Sequence, residues 1–593
     1  MATTLGQHLV NTILPSKWKD AGALNKGNLN KVLVGVAQET PHLYADVVTK
    51  MKRLGDELAT LDGISVGLDD IMPHATARDA GMKPHMDAFH RAATGADKTK
   101  ALRGAQDAML TLAKKHPGTL GEMVRAGGRG NAAQLMRTVT SPVLAEDSKG
   151  QTMPWMIHKS FSEGLKPADA WVAGSQARVN AVLSNISVAE PGDLSKILTN
   201  NMSNQLVTTV DCGTKNGIAM LATDPHIIDR YQAGTNKLIT PQLASSLSRA
   251  GRSVIVRSPM TCHAAHGVCQ MCQGLSNTGV RHTIGTNIGM RAAQALAEPL
   301  TQFALNAKHG GRVAGAEAEK RLDGIKGVRS LLEIPSAFAH KAILSERDGS
   351  VSKIMSAPQG GHYVHVNDSH HYVPPTHRVM VSMGQSVYAG DLLSDGVPKP
   401  DEIVRHKGLG EGRRYLVDSL TDVYKRAGSE VDKRHLETLA KSVLNHVQIV
   451  DPGPHDAFIK GDIVDYNRFH AALSASKQTV QIADAVGETL ADNVLHHMAG
   501  TVVTQPIADQ LMKHGMRTVA IADVGPRAVP IMRPASRTPL LNPDWMHRLG
   551  HRYLKESLLT GIHRGDVSNL HGASPIPAYA AGTEFGMGEE GHY

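Results

Sequence analysis

Only four cysteines occur in this 593-residue chain, and they are not scattered. Three form Cys262-x6-Cys269-x2-Cys272, and the fourth sits in the turn-like run Asp211-Cys212-Gly213-Thr214. A two-residue gap lets both sulfurs of a knuckle reach one ion, so in a cytosolic protein this spacing favours tetrahedral thiolate zinc over disulfides. Cys212, Cys262, Cys269 and Cys272 are the candidate zinc ligands, with His263 and His266 as substitutes for one of them; the alternative is three buried thiols and a stray. A zinc site of that kind closes a loop of ~50 residues and ties two separate segments together.

Composition bounds the rest. At 41% hydrophobic residues, 593 residues build several domains with real cores, which excludes a disordered tail or a fibre. No apolar run approaches the ~20 residues that span a bilayer, and Met1-Ala2-Thr3-Thr4 lacks the charged and apolar regions of a signal peptide, so a cytoplasmic setting without membrane is expected. A net charge of +8 is compatible with a polyanionic partner but spreads thinly over this length, and 4% aromatics argue against base stacking as the main mode of binding.

Along the chain, Thr3 to Pro73 is helical in pattern, and residues 75–126 alternate charge and apolarity at helical period, predicting a long antiparallel helix pair. Gly127-Gly128-Arg129-Gly130 then runs into a helix; backbone N–H groups with a guanidinium beside them form a natural phosphate site, although an isolated Gly-Arg-Gly also reads as a structural turn. An apolar-rich helix follows, with Val182 and Leu183 as core, and Pro191-Gly192 predicts a kink or an end. Gly234 to Val256 reads as strand-helix-strand and is echoed at Gly500 to Ile521, with Thr240-Pro241 and Gln505-Pro506 placing Pro at helix starts. Residues 342–396 are strand-rich, and Tyr415 to Val450 reads as a helical pair.

Gly285 to Gly311 reads as two helices and a hinge. Ile288, Ala292, Ala295 and Leu296 recur at helical spacing, Pro299 interrupts them, and Thr301 to Lys308 resumes until Gly310-Gly311 stops it. Gln302, Leu305, Asn306 and His309 fall at i, i+3, i+4 and i+7, so two amides, an apolar knob and an imidazole share one face. That face either grips a nucleotide or is ordinary amphipathy, with Leu305 in a core and His309 capping the helix end.

The same stretch, with Ala292-Ala293-Gln294, Glu298-Pro299, Thr301-Gln302 and His309-Gly310-Gly311, resembles the trigger loop of the β′ subunit of multisubunit DNA-directed RNA polymerases. The resemblance runs in order through nearly the whole chain and is least clear over 460–540. Thr3-Thr4-x-Gly6 and Ser65-Val66-Gly67-x-Asp69-Asp70 match the region leading to the secondary channel, and Phe161-Ser162-Glu163-Gly164-Leu165 with Ala177-Arg178 and Gly192-x-Leu194 matches the bridge helix. Gly324 to Pro335 is similar to the returning trigger helix, and Ile576-Pro577 to Thr583 to the closing region. The implied fold is multidomain α+β: a helical region at 1–73, a rim-like helix pair and Gly-rich loop at 74–140, a bridge-helix region at 141–205 and a zinc module at 206–282. A trigger loop at 283–335, a barrel- and jaw-like region at 336–460, and a small α/β module with a helical C-terminal region at 461–593 complete it.

By that resemblance Leu305 packs on the incoming base, Gln302 lies near the ribose, and His309 contacts the triphosphate, while Asn306 stands where the family has a phosphate-contacting Arg. Arg129, Arg178 and Lys196 would face nucleic acid, although Val179-Asn180 and Lys196-Ile197 replace a Lys-Gly pair and paired Arg. The alternating-Asp loop that holds catalytic Mg²⁺ in the family has no counterpart here, since Asp69-Asp70 are adjacent. The resemblance therefore implies a split β′, as in large phages, plastids, cyanobacteria and archaea, the short trigger tip and brevity fitting a phage best; it would be cytoplasmic, in host cytoplasm or virion if phage-encoded, and inactive alone. Its partners would be an N-terminal β′ polypeptide carrying the Asp-rich loop and Mg²⁺, β-like subunits, DNA template, RNA product and NTPs. A polymerase-derived scaffold subunit, favoured by Asn306 and Ile197, and a stand-alone zinc module are the competing expectations.

Overall fold

The computed structural model describes residues 4–147, 152–309 and 324–548 apart from scattered single positions, with residue 322 and a few residues up to 567; of helical residues 176, 179, 180, 182–188 and 302–309 it describes the backbone alone. Mixed α and β, the chain divides into two units, Met1–Asn185 and Ile186–Tyr593.

The first unit is largely helical. α1 (Leu5–Ile13) opens on a reciprocal cap between Thr4 and Gln7; α2 (Lys26–Glu39) and α3 (Pro41–Asp62) follow, and Leu14, Val32, Val36 and Val47 close a small core. α4 (Ala75–Arg91) and α5 (Gly95–Lys114) pack together through Met82, Leu102, Ala105 and Met109. The pair expected over 75–126 ends early, because Pro117 and Gly118, at φ +78, break the chain into a third helix, α6 (Gly118–Ala126). The Gly-rich loop then turns with Gly127 and Gly130 at φ +73 and enters α7 (Ala132–Val139), capped reciprocally by Asn131 and Gln134.

α8 (Pro167–Met202) has 36 residues, about 54 Å at 1.5 Å per residue, and the division between units falls inside it. Contrary to the expectation from Pro191-Gly192, it does not end there. Leu194, Ile197, Leu198 and Met202 of its last turns are buried in the main core, which outweighs the one backbone hydrogen bond that Pro191 cannot donate.

In the second unit β1 (Val207–Thr209), β2 (Ile218–Leu221), α9 (Pro241–Arg249), β3 (Ser253–Val256), β4 (Val268–Cys269) and the short α10 (Gln270–Gln273) surround the cysteines; β1 pairs with β4 in parallel and β2 with β3 antiparallel. The first strand expected in Gly234 to Val256 shrinks to a bridge, Tyr231 to Leu238, and β2, from outside the unit, supplies the partner of β3. α11 (Ile288–His309) is one continuous helix through Pro299, and α12 (Gly324–Glu333) follows the undescribed 310–321. The hinge expected at Pro299 is absent from the backbone: Ala292, Ala293, Leu296 and Leu300 lock both sides of it in the core.

β5 (Gly349–Ser356), β6 (His362–Val366), β7 (Ser369–Val373) and β8 (Ser386–Val387) form an antiparallel sheet in the order β7-β6-β5-β8, the strand-rich stretch expected here. α13 (Pro400–Arg426) bends at Gly408 (φ 88), α14 (Lys433–Val443) packs on it, and β9 (His446–Asp451) follows. The helical pair expected over 415–450 thus begins at Pro400 and stops at Val443, since Val447 to Val450 alternates buried and exposed positions as a strand does. β10 (Ile463–Asp465), α15 (Tyr466–Ser474), β11 (Lys477–Gln481), α16 (Gln505–Lys513), β12 (Thr518–Ala522) and β13 (Arg527–Ile531) close the described chain, with sheets β10-β9-β13 and β11-β12. The two echoed segments share one plan, a Pro-started helix followed by a strand that pairs antiparallel with an earlier one, and Ile255 of the first packs against the core of the second. The expected helical C-terminal region lies mostly outside the described residues. Among the described residues no helix is long and apolar enough to cross a membrane.

Candidate functional site

The four cysteines come together as the sequence spacing implies. One sulfur from each of Cys212, Cys262, Cys269 and Cys272 falls within 4.8 Å of every other, and the Cys212 and Cys272 sulfurs are 3.8 Å apart. The local chain accounts for this. Backbone N–H groups of Ala264 and Cys269 donate to the Cys262 sulfur at 3.5 and 3.3 Å, and that of Cys272 donates to the Cys269 sulfur at 3.3 Å, so each knuckle folds around its own acceptor. N–H donation suits thiolates, and hydrogen bonding from Cys262, Cys269 and Cys272 drives the Cys212 thiol far below its ordinary value. The donor set and spacing fit a structural Zn²⁺ ion, with no place needed for His263 or His266.

Arg257, which nothing in its sequence context singles out, is fully buried beside the cluster. Its Nη2 donates to Asp211 Oδ1 at 2.6 Å and to the sulfurs of Cys212, Cys269 and Cys272 at 3.4–3.5 Å, while Nη1 donates to Asn236 Oδ1 at 2.8 Å. The hydrogen bond from Arg257 lowers the Asp211 carboxyl. A guanidinium there offsets the excess negative charge of four thiolates around one divalent ion.

Helix α11 begins where α8 ends. A Cβ on Gly289 would stand 1.8 Å from the Met202 carbonyl oxygen, so only glycine admits this approach. The Gly289 N–H donates to Gln205 O at 2.9 Å, and Asn287 Nδ2 donates to Ser203 O at 2.8 Å. Further along, the buried Tyr424 hydroxyl donates to the Leu296 carbonyl at 2.7 Å, in the turn where Pro299 has no N–H to give. α12 meets α8 through Arg329, 3.0 Å from Asp193.

Gln302, Leu305, Asn306 and His309 lie on the backbone of α11, but their side chains lie outside the described residues, as do Gly310 and Gly311. Val182 and Leu183 of α8 are in the same position. Arg129 is exposed on the turn between α6 and α7; Arg178 is exposed on α8, its guanidinium 5.6 Å from the Trp171 ring centroid; Lys196 is exposed on the same helix. Ile197, 7% exposed, belongs to the core, so an Arg at that position would be buried. Arg129 and Arg178 belong to the first unit, Lys196 and the cysteines to the second.

Among known proteins, the family model RNA polymerase Rpb1, domain 5, matches residues 164–374 and 363–461. The β′ subunit of DNA-directed RNA polymerase from Acetivibrio thermocellus is 26% identical over 548 residues, covering 81% of this chain and 46% of the relative. Those of Leifsonia xyli and Heliobacterium modesticaldum are 27% and 25% identical, covering 82% and 79% of this chain and 41% and 44% of the relatives. The chain thus spans less than half the length of the relatives it matches.

Proposed function

This chain belongs to the RNA polymerase β′ (Rpb1) family, and on that premise we propose that it supplies the bridge helix and trigger loop of a DNA-directed RNA polymerase whose Mg²⁺-binding carboxylates stand on another polypeptide. The junction of α8 with α11 at Gly289 carries the reading: it fastens a 36-residue helix to the base of the helix bearing Gln302, Leu305, Asn306 and His309. Nucleotide addition depends on positioning more than on covalent chemistry by the protein, and a buried base at Ala292, Leu296 and Leu300 suits a helix whose far end must return to one place in every cycle.

In this reading Leu305 packs on the incoming base, Gln302 neighbours the ribose, and His309 orients the triphosphate or protonates the pyrophosphate oxygen as it leaves. Asn306 contributes no positive charge, so His309 and groups on partner subunits stabilise the developing charge. Mg²⁺ on the partner would neutralise charge on the attacking and leaving oxygens. Arg129, Arg178 and Lys196 meet nucleic-acid phosphates, and the cysteine cluster holds one structural Zn²⁺. Partners are an N-terminal β′ polypeptide with the Asp-rich loop and β-like subunits, encoded by a large phage.

The test is co-purification with a polypeptide carrying an alternating-Asp loop, followed by promoter-independent extension of a primed scaffold. Extension should appear only in the complex, and His309→Ala should slow single-nucleotide addition by about 10²–10⁴-fold, the range of general acid–base contributions. An assembled complex that does not extend makes the chain a scaffold; unchanged single-turnover extension removes the role of His309.

A further inference from the structure

Away from the cysteines, α13 packs against the turn Val494-Leu495-His496-His497. Val494 and His497 exchange backbone hydrogen bonds at 2.9 Å, and a Cβ on Gly410 would stand 2.0 Å from the His496 carbonyl oxygen, so helix and turn touch backbone to backbone. That contact brings Glu411 to the two imidazoles. His496 Nε2 lies 2.6 Å from Glu411 Oε1, the two rings have centroids 4.1 Å apart, and one ligand atom from each of Glu411, His496 and His497 falls within 4.8 Å of the others. His496 is 5% exposed and His497 2%.

A buried His–Glu hydrogen bond explains part of this cluster but leaves His497 unaccounted for. Its Nε2 lies 3.1 Å from Gln510 Oε1, an oxygen that can only accept, so the proton sits on Nε2 and Nδ1 presents a lone pair. That Nδ1 is buried with no hydrogen-bond partner among the described residues. Buried acceptors without donors are rare and costly, and a lone pair grouped with a second imidazole and a carboxylate is satisfied by a cation. Fixing the tautomer of a ligating imidazole through its far nitrogen is the usual outer-shell arrangement of metal sites. His496, though not Glu411 or His497, also lines a cavity of about 160 Å³ with Asp418 and Arg414, so water can reach one of the three donors.

We propose that Glu411, His496 and His497 form a second divalent-metal site, zinc by its donor set, completed by water and clamping the 494–497 turn to α13. The site stands apart from the cysteine cluster and is independent of the transcriptional reading.

The test is metal analysis of the full chain after titration with Zn²⁺ and removal of excess. About two zinc ions per chain are expected, one for each tetrahedral donor set. Glu411→Gln, which keeps size and hydrogen bonding, and His497→Gln should each lose one equivalent, while Cys269→Ser should keep the second. With Co²⁺, the thiolate charge-transfer band of the cysteine site should persist in Glu411→Gln, whereas the weaker ligand-field bands of a nitrogen- and oxygen-bound ion should vanish. A single equivalent in the parent chain, or unchanged metal content and spectra in a folded Glu411→Gln protein, overturns the proposal.

Discussion

On the proposal that the cysteine cluster holds a zinc ion, Arg257 sets how tightly that ion is kept. Four thiolates around one divalent cation would leave a net negative centre, which the buried guanidinium, 2.6 Å from Asp211 and 3.4–3.5 Å from three sulfurs, offsets. Replacing it with leucine leaves Asp211 facing the cluster uncompensated. Arg257→Leu should release zinc to a competing chelator with affinity weakened about 10–100-fold, the usual effect of losing an outer-shell partner, while still binding one ion at saturating zinc. Equal retention by parent and variant would show that the N–H donors of Ala264, Cys269 and Cys272 suffice. The ligands themselves were legible in the sequence because cysteine is rare there and a two-residue gap has a geometric meaning. Arg257, Arg230, Arg413 and Lys441 were not, since an isolated basic residue looks the same whether it ends in solvent or in a core. The adjacent pair His496-His497 was invisible for a related reason: its third donor, Glu411, arrives from α13, 85 residues away.

Helices α8 and α11 show local and tertiary terms in conflict. Pro191 and Pro299 are strong breakers by local rule, yet both helices run through them, because apolar residues beyond Pro191 and on both sides of Pro299 are buried in one core. Where no core intervened the local rules held: Pro241 opens α9, and Gly127 and Gly130 turn the chain before α7. Tyr424 ties the same turn to α13: its hydroxyl reaches the Leu296 carbonyl at 2.7 Å, one residue past the Ala295 carbonyl that Pro299 leaves without its helical donor. Tyr424→Phe keeps the ring packing and removes that donor from a carbonyl whose helical partner is the Leu300 N–H, at a cost of about 0.5–1.5 kcal/mol. Amide exchange across 288–301 should accelerate by roughly 2–13-fold, the rate equivalent of that cost, while exchange in β5 to β7 stays as it is. An unchanged rate at 288–301 would mean that core packing alone holds the helix past its proline.

At the scale of the molecule, the zinc module is fastened to the main core by α14, and the fastening is ionic. Arg230 forms two hydrogen bonds with Glu437, at 2.7 and 2.6 Å, both side chains being 1% exposed, and Ser258 Oγ donates to the same carboxylate at 2.7 Å. Lys441 Nζ donates to the Gly267 carbonyl at 2.7 Å, and Arg434 to that of Leu275. On the neighbouring α13, Arg413 donates to Met260 O at 2.7 Å, and burial lowers it to about 10. Buried pairs of this kind return little net stability for the desolvation they cost, but losing one partner strands a charge in a medium of low dielectric. Glu437→Leu should therefore destabilise the second unit by about 3–5 kcal/mol, seen as earlier denaturant unfolding and faster proteolysis between 212 and 275. Arg230→Met alone should cost less, because Ser258 still serves the carboxylate and a neutral Glu437 is cheaper to bury than an unpaired guanidinium. The double variant Arg230→Met/Glu437→Leu should recover most of the loss, since two apolar chains of similar volume satisfy the same space without desolvating a charge. Recovery in the double variant, with zinc still bound, would assign the pair a role in fixing how the module sits on α14; a double variant as unstable as the sum of its parts would mean that Arg230 and Glu437 act separately, through His226 and Ser258.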